Sequence, residues 1–328
     1  MEGHRERVLE LTFSPDGRWL ASGSIDKTVR IWQAASPTSN ACCAVLEGHD
    51  GWVFSVSFSS DSEWLASGAS DGTIRVWNVK NDVGTARFVL APGVIVQSVR
   101  FRPELPSDDG SASALILASG AVDGSVQLWN ATTRKCLKTW KDTTSNNSVD
   151  CVSFSPDRRL LASAGKEGVQ VWHVESWRRL ARWSDSSSLG RVSTVCFSPD
   201  GKVLAAGGND GNIRLFHMPS PESKEFEPEP FVATLSGHAG SVRSLSFEPD
   251  GRLLLSSADD GTTRMWDVTT HTMRGIVCAS YALDLSHADF TQAQMDILLQ
   301  RVVAAEGMRS AEREVEYGIA FQRRDVYQ

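Results

Sequence analysis

Short apolar stretches with a period of two residues recur along this chain. The pattern is fullest between Gly48 and Asn78, where the stretches are Trp52–Phe58, Trp64–Gly68 and Thr73–Trp77. Each stretch is rich in Val, Ile, Phe or Trp, and Ser-Asp and Asp-Gly pairs lie between them, as is typical of strands joined by tight turns. The pattern therefore predicts three adjacent β-strands in this segment.

Partial copies of this segment recur along most of the sequence. Each copy closes with an aromatic residue, and a further apolar stretch after it predicts a fourth, outer strand. The separations between these aromatic residues are 45, 52, 43, 44 and 50 residues. The residues are Trp32, Trp77, Trp129, Trp172, Phe216 and Trp266. A unit of this length with four strands is that of a propeller blade, so the sequence predicts an all-β chain of six recognisable blades.

The composition indicates a globular protein, but it does not indicate a particular catalytic or binding activity. The 328 residues are 41% hydrophobic and 22% charged, which is typical of a globular protein with a large core. The formal net charge of −7 makes nucleic acid an unfavourable partner. No apolar run approaches the roughly 20 residues that cross a membrane, and the N-terminus has no apolar signal-peptide core. We therefore expect no membrane association and a cytoplasmic or nuclear location.

Motifs that carry catalysis or hold a metal are missing from the sequence. The six cysteines do not show CxxC spacing and are expected to be reduced thiols. Gly68-Ala69-Ser70-Asp71-Gly72 matches G-x-S-x-G, but it joins two strands, whereas a nucleophile elbow requires a turn from strand to helix. The sequence also lacks a phosphate-binding loop and HExxH. We expect no cofactor, no metal and no enzymatic activity.

The repeated segment resembles a WD repeat in its landmarks. These are a Gly-His pair, the run FS(P/S)DxxxLASG, an Asp before the third strand and the closing Trp. The resemblance covers residues 1–278 and implies a WD-repeat β-propeller, a rigid non-catalytic platform that binds protein or peptide partners. The repeats also look like those of NACHT-associated WD-repeat proteins.

The predicted blades have the approximate limits 1–47, 48–91, 92–141, 142–184, 185–236 and 237–278. The tail, residues 279–328, includes a predicted amphipathic helix at about 287–306, where Phe290, Ile297, Leu298, Val302 and Ala305 share one face. The strand YALDL at Tyr281–Leu285 could instead begin an incomplete seventh blade. Where the tail packs is left open.

The resemblance implies a buried hydrogen-bonded tetrad of His, Ser, Asp and Trp in each complete blade. Three copies at blade spacing favour this structural role over a nucleophilic triad. The complete sets are His4, Ser22, Asp26 and Trp32; His49, Ser67, Asp71 and Trp77; and His238, Ser256, Asp260 and Trp266. The third, fourth and fifth blades lack the full set.

The resemblance also implies which side chains lie on the narrow face of the ring, where partners bind. They come three and five residues after the His and just before the turn Asp. In the first three blades they are mainly apolar: Arg7, Leu9, Ile25, Trp52, Phe54, Ile95, Gln97 and Val122. In the later blades they are polar and charged, and include Asp150, Arg191, Arg243 and Asp259. We expect Trp52 and Phe54 to anchor a partner.

Ring closure departs from the pattern implied by the resemblance. Most WD propellers take one strand of the last blade from the other terminus, whereas the sixth blade here is complete in itself, so closure would rest on packing or on another chain or domain. Three roles are compatible with the sequence: a scaffold or adaptor, the sensor arm of a NACHT-type signalling ATPase, or a substrate receptor of a cullin-type ubiquitin ligase. The ligase receptors often carry Trp-Asp-x-Arg, and the nearest forms here are residues 77–80 and 266–269.

Overall fold

A computed structural model describes residues 3–34, 42–80, 86–104, 114–141, 147–183, 190–218 and 232–278. These residues contain 24 β-strands and no helix, which confirms the all-β prediction. The strands form six four-stranded sheets, and each sheet is built from four consecutive antiparallel strands, as a β-propeller requires. The predicted tail helix at 287–306 and the strand Tyr281–Leu285 lie outside the described residues.

The six sheets are numbered as blades in chain order. Blade 1 has β1 (Val8–Phe13), β2 (Trp19–Ser24), β3 (Val29–Gln33) and β4 (Cys42–Leu46). Blade 2 has β5 (Val53–Phe58), β6 (Trp64–Ala69), β7 (Ile74–Asn78) and β8 (Ala86–Leu90). Blade 3 has β9 (Val96–Phe101), β10 (Ile116–Ala121), β11 (Ser125–Asn130) and β12 (Lys135–Lys141).

The later blades repeat this order. Blade 4 has β13 (Val149–Phe154), β14 (Leu160–Gly165), β15 (Gly168–His173) and β16 (Arg178–Trp183). Blade 5 has β17 (Val192–Phe197), β18 (Val203–Gly208), β19 (Asn212–His217) and β20 (Ala233–Ser236). Blade 6 has β21 (Val242–Phe247), β22 (Leu253–Ala258), β23 (Thr262–Asp267) and β24 (Thr272–Cys278).

Side-chain hydrogen bonds fix the turn between the first two strands of a blade. In blade 1 the Ser14 hydroxyl donates to Asp16 Oδ1 at 2.5 Å and accepts from the Trp19 amide at 2.9 Å. Gly17 adopts φ +70°, a conformation that costs glycine little. The Ser-Pro-Asp-Gly sequence therefore closes the turn with its own polar atoms.

The core lies between successive blades rather than within one. At the junction of blades 1 and 2, Val53, Val56 and Phe58 of β5 pack in one buried cluster with Val29 and Ile31 of β3. Equivalent clusters join blades 2 and 3, 3 and 4, 4 and 5, and 5 and 6. Since each of blades 2 to 5 gives one apolar face to the preceding blade and the other to the following one, neighbouring blades stabilise each other.

A β-bulge interrupts the pairing of the first two strands at the start of every blade. It leaves one residue of the first strand without a partner in the second strand. The bulged residues are Leu9, Phe54, Gln97, Asp150, Ser193 and Arg243. A bulge re-aims the side chain that it carries, so the same device presents one side chain from each blade.

Candidate functional site

The most exposed part of the expected partner-binding face lies on blades 2 and 3. Trp52 precedes β5 and is 49% exposed, and Ile95 precedes β9 and is 37% exposed. The Trp52 and Phe54 rings meet edge to face, with centroids 6.1 Å apart and planes at 73°. The Trp52 amide donates to Ser70 Oγ at 2.7 Å, which explains why the predicted strand begins one residue later, at Val53.

The other apolar positions of this face are partly covered. Leu9, Ile25, Phe54 and Val122 have intermediate burial. We name Leu9, Ile25, Trp52, Phe54, Ile95 and Val122 together the apolar patch. Arg7 is exposed in the segment before β1, and Gln97 has intermediate burial at the bulge of blade 3. An exposed indole steadied by a neighbouring ring is the kind of side chain that anchors partners at interfaces.

On the polar half of the face, the charged side chains form ion pairs with one another. Arg191 of blade 5 binds Asp150 of blade 4 through two bonds of 2.6 and 2.8 Å. Arg243 binds Asp259 within blade 6 through bonds of 2.8 and 2.6 Å. The Arg243 guanidinium, aided by Arg7, holds the pKa of Asp259 below its usual value. These charges satisfy one another, so this half presents two neutralised ion pairs.

The predicted tetrad residues lie in hydrogen-bonding contact in blades 1, 2 and 6. In blade 2, Trp77 Nε1 donates to Ser67 Oγ at 2.9 Å, and Ser67 Oγ lies 2.8 Å from His49 Nε2. His49 Nδ1 lies 2.8 Å from Asp71 Oδ2, which also accepts from the Asp50 amide. The other two sets match these distances within 0.1 Å. Each set ties the first loop to the second and third strands.

The electrostatics of the tetrads favour a neutral imidazole. Burial lowers the pKa of His49, and the bond to Asp71 opposes this only in part. Burial raises the pKa of Asp71, but bonds from Thr73 and His49 outweigh it, so the carboxyl pKa is lowered overall. His Nδ1–H therefore donates to a carboxylate, and Nε2 accepts from the Ser hydroxyl, which leaves every member of the tetrad satisfied.

Blades 3, 4 and 5 replace the missing His with a cation. In blade 3, Lys141 of β12 binds the turn residue Asp123 at 2.7 Å. In blade 5, Arg214 of β19 binds the turn residue Asp210 at 2.6 Å. Blade 4 pairs Arg182 of β16 with a turn glutamate, residue 167. The sequence analysis did not predict these pairs. Those in blades 3 and 4 depend on the register of the outer strand, whereas Asp210 and Arg214 are close in the chain.

A buried ion pair spanning three blades was also missed. Glu10 of β1 binds Arg100 of β9 at 2.6 Å, and Glu10 Oε2 accepts from the Val56 amide of β5 at 2.6 Å. Both residues are buried, and Arg100 also donates to Ser55 Oγ at 3.1 Å. The signal in the sequence is a charge inside a first strand, where the equivalent residues are small. The pair links blade 1 to blade 3 across blade 2.

Within the described part of the chain, no group of three His, Cys, Asp or Glu side chains could hold a metal ion. None of the described segments forms a helix that could span a bilayer. The described cysteines, Cys42, Cys43, Cys136, Cys151 and Cys196, are reduced thiols, and burial raises the pKa of Cys151 to about 11. A thiol with so high a pKa is a poor nucleophile at neutral pH.

Comparison with known proteins gives matches to repeat families. Residues 1–33, 40–78 and 229–267 match the WD domain, G-beta repeat family. Residues 152–225 match the family described as the anaphase-promoting complex subunit 4 WD40 domain. Together these segments lie in every blade except the third. The WD40 resemblance is therefore supported in both halves of the propeller.

Individual relatives match over one repeat or little more. Protein Notchless of Drosophila melanogaster is 54% identical over 43 residues, 13% of this chain and 9% of that protein. Eukaryotic translation initiation factor 3 subunit I of Coccidioides immitis is 46% identical over 59 residues, 18% of this chain and 16% of that protein. Transcriptional repressor tup12 of Schizosaccharomyces pombe is 49% identical over 37 residues, 11% and 6% respectively. The matches cover less than a fifth of the length of these relatives.

Proposed function

From a chain that carries WD40 repeats folded into six blades, we propose a protein-interaction scaffold that binds a protein or peptide through the apolar patch. The observation that carries the proposal is the half-exposed Trp52, packed edge to face on Phe54, together with the exposed Ile95 at the equivalent position of blade 3. Large aromatic side chains rarely stand in contiguous exposed patches unless they bind something. We expect the partner to insert an apolar side chain between blades 2 and 3.

The backbone below the patch supports a binding role because it is fixed before a partner arrives. Ser70 holds the Trp52 amide, and Asp71 holds the Asp50 amide at 3.0 Å. His49 lies three residues before Trp52 and is buried in the tetrad of the same blade. A side chain on so constrained a loop loses little entropy on binding, so more of the contact energy contributes to affinity.

The polar half contributes to selectivity between partners, and it does not attract a charged partner over a long distance. Its two Arg-Asp pairs leave little net charge for a partner of either sign, which suits a partner without a strong overall charge. This agrees with the expectation that nucleic acid is not the ligand. An intracellular location in the cytoplasm or nucleus belongs to the same proposal.

The narrower roles gain no support from local contacts. In the Trp77–Lys80 motif, Lys80 pairs with Glu63 of the same blade. In the Trp266–Thr269 motif, the buried Asp267 accepts from the Thr269 amide and from Arg274. Both motifs therefore use their polar side chains internally, and the ubiquitin-ligase and NACHT-associated roles remain predictions.

Capture from extract followed by measurement of direct affinity tests the proposal. The Trp52→Ala/Phe54→Ala variant is compared with wild type and with a Val45→Ala/Val89→Ala control, which trims exposed apolar side chains on the outer strands β4 and β8. A partner held by the patch should bind at least about tenfold more weakly to the first variant, since anchoring aromatics contribute about 2 kcal/mol or more. The control should bind as wild type does. Unchanged affinity in the first variant, with its circular dichroism intact, would refute the proposal.

A further inference from the structure

The outer strands of the propeller carry most of their positive charge on two neighbouring blades. Strands β12 of blade 3 and β16 of blade 4 together contain six lysine and arginine residues, whereas the other four outer strands together contain two. The six are Lys135, Lys138, Lys141, Arg178, Arg179 and Arg182. Lysines on an exposed strand edge deter pairing with other chains, but every outer strand would need that protection. The concentration on adjacent blades therefore points to a further role.

Three tryptophans form an aromatic layer at the junction of these two blades. Trp177, in the turn that joins β15 to β16, packs on Trp140 of β12 with the ring centroids 5.6 Å apart. Trp140 is buried, and its ring centroid lies 5.4 Å from that of Trp172 in β15. Trp140 Nε1 also donates to the Trp177 carbonyl oxygen at 3.3 Å. These contacts fix the turn of blade 4 against the outer strand of blade 3.

Two of the cations lie over the tryptophan rings. Lys138 Nζ is 6.0 Å from the centroid of the Trp177 ring, and Arg179 Cζ is 5.7 Å from the centroid of the Trp172 ring. A cation at this distance is attracted by the electron-rich face of an indole. Positive charge and aromatic surface therefore occur together on this side of the propeller.

Several charges of this region are not neutralised by a carboxylate. Lys135, Lys138 and Arg178 are exposed and form no ion pair with any residue that the structure describes. Residues 134–141 and 174–179 contain six cations and one glutamate. The region is therefore locally positive, although the formal net charge of the chain is −7.

Trp177 combines an unusual backbone conformation with an exposed side chain. Its φ is +58°, in the left-handed region that glycine and asparagine adopt more readily than a large residue. The turn itself requires this conformation, since Arg134 and His271 at the equivalent positions of blades 3 and 6 both have φ +56°. The indole is nevertheless 36% exposed. A strained residue with an exposed aromatic side chain is the kind of outlier that marks a binding site.

We propose that Lys135, Leu137, Lys138, Trp177 and Arg178 bind an acidic peptide segment of a partner protein. We call these five residues the basic surface. Glutamate or aspartate side chains of the segment pair with the three cations. An apolar side chain between them packs on the exposed part of Trp177, and Leu137, which is 44% exposed, adds apolar surface between the two lysines of β12.

The geometry favours carboxylates over a nucleic acid strand. A base would stack on the face of an aromatic ring, but Lys138 lies over the Trp177 ring and Arg179 lies over the Trp172 ring. A base must displace these cations, whereas a carboxylate pairs with Lys138 where it stands. The net negative charge of the chain also repels a long polyanion more than a short acidic segment, because salt screens charges beyond about 10 Å.

The basic surface and the apolar patch lie at opposite ends of the sheets. The apolar patch follows the starts of the first strands and the turns between second and third strands, whereas Trp177 lies in a turn between a third and a fourth strand. Successive turns of an antiparallel sheet built from consecutive strands lie at alternate ends. The two surfaces can therefore bind different partners at the same time, which extends the proposed scaffold function.

Calorimetric titration of the full chain with defined peptides tests the proposal. The probe is an octapeptide of glutamate residues with phenylalanine at its fourth position, and the matched control has glutamine in place of every glutamate. We expect the acidic peptide to bind at least about tenfold more tightly than the glutamine peptide, because several opposite charges meet. Its affinity should fall as the salt concentration rises from about 0.05 M to about 0.5 M, since exposed charges are screened.

Two variants and a matched control locate the site. Lys138→Gln/Arg178→Gln should weaken binding of the acidic peptide about fivefold or more, because two charge pairs are lost. Arg18→Gln/Lys202→Gln makes the same change in net charge at side chains that are 78% and 79% exposed, and it should bind as wild type does. Trp177→Asn removes the indole and suits the positive φ, so circular dichroism should be unchanged while affinity falls about tenfold.

Equal affinity for the acidic and glutamine peptides would overturn the proposal, and so would equal losses in the site and control variants. Tighter binding of an eight-nucleotide oligouridylate would identify a nucleic acid site instead. If no probe binds, the lysines only protect a strand edge. The Trp52→Ala/Phe54→Ala variant should bind the acidic peptide as wild type does, so failure of this proposal and failure of the proposed function are distinguishable.

Discussion

Blade 2 and blade 5 have strands of nearly the same length but fix the turn between their second and third strands differently. Blade 2 uses a buried chain from Trp77 through Ser67 and His49 to Asp71. Blade 5 has Phe216 and Ala206 at the equivalent positions, and its turn Asp210 pairs with Arg214. Hydrogen bonds without water competition hold more firmly than a partly exposed ion pair. The comparison teaches that the fold needs a partner for the turn carboxylate, while the type of partner sets local rigidity.

Removing the turn carboxylate should destabilise a blade with a complete tetrad far more than a blade whose turn is held by an ion pair. Asp71→Ala leaves the buried His49 and the Asp50 and Thr73 amides without an acceptor, so we expect a loss of about 3 kcal/mol in the free energy of unfolding. Glu167→Ala in blade 4 removes only a partly exposed pair with Arg182 and should cost less than about 1 kcal/mol. Urea unfolding measures both, and equal losses would show that the tetrad confers no special rigidity.

A smaller effect on stability is expected when the Trp–Ser hydrogen bond of the tetrads is introduced into blade 5. Phe216 is buried against Trp183, with the two ring centroids 4.5 Å apart. Phe216→Trp therefore enlarges a packed side chain and buries an unpaired indole N–H. Adding Ala206→Ser supplies the acceptor, and a double-mutant cycle should give a favourable coupling of about 1 kcal/mol. Zero coupling would mean that Phe216→Trp turns its indole away from position 206.

Acidification should weaken only the blades that bury a histidine. The folded-state pKa values of His4, His49 and His238 lie below 6.5 because of burial, so the unfolded state binds more protons as the pH falls below 6.5. The contribution of these histidines to the free energy of unfolding is therefore fully present above pH 6.5 and declines as the pH falls below it. At pH 6 the hydrogen-exchange protection of β5–β7 should fall by at most about fourfold for each histidine that must be protonated.

The control is the same measurement on β17–β19 of blade 5, where the turn pair is Asp210 and Arg214. The pKa of Asp210 is lowered overall: burial raises it, but the bonds from Arg214 and Asn212 outweigh that effect. Its contribution is therefore present above about pH 4 and is lost only below it. A parallel fall in blades 2 and 5 between pH 7 and 6 would contradict a role for the buried histidines.

The sequence predicted those features that repeat with the blade period. The strands, closing aromatics and tetrad positions follow from local pattern, because each blade is made of consecutive residues. Pairs such as Glu10 with Arg100, and Asp123 with Lys141, could not be predicted, since they depend on which blades or strand ends face each other in space. The unequal exposure of Val8 and Val53 could not be predicted either, because the two residues occupy equivalent positions of the repeat.

The Glu10–Arg100 pair also has a mechanical meaning. Glu10 holds the Val56 amide of blade 2 and the Arg100 guanidinium of blade 3 at the same time, and Arg100 contacts Ser55 between them. A force applied to the N-terminal strand would thus be shared by three sheets rather than peel away one. Blades 1 to 3, which also carry the exposed Trp52 and Ile95, would move as a single stiff body when a bound partner pulls on them.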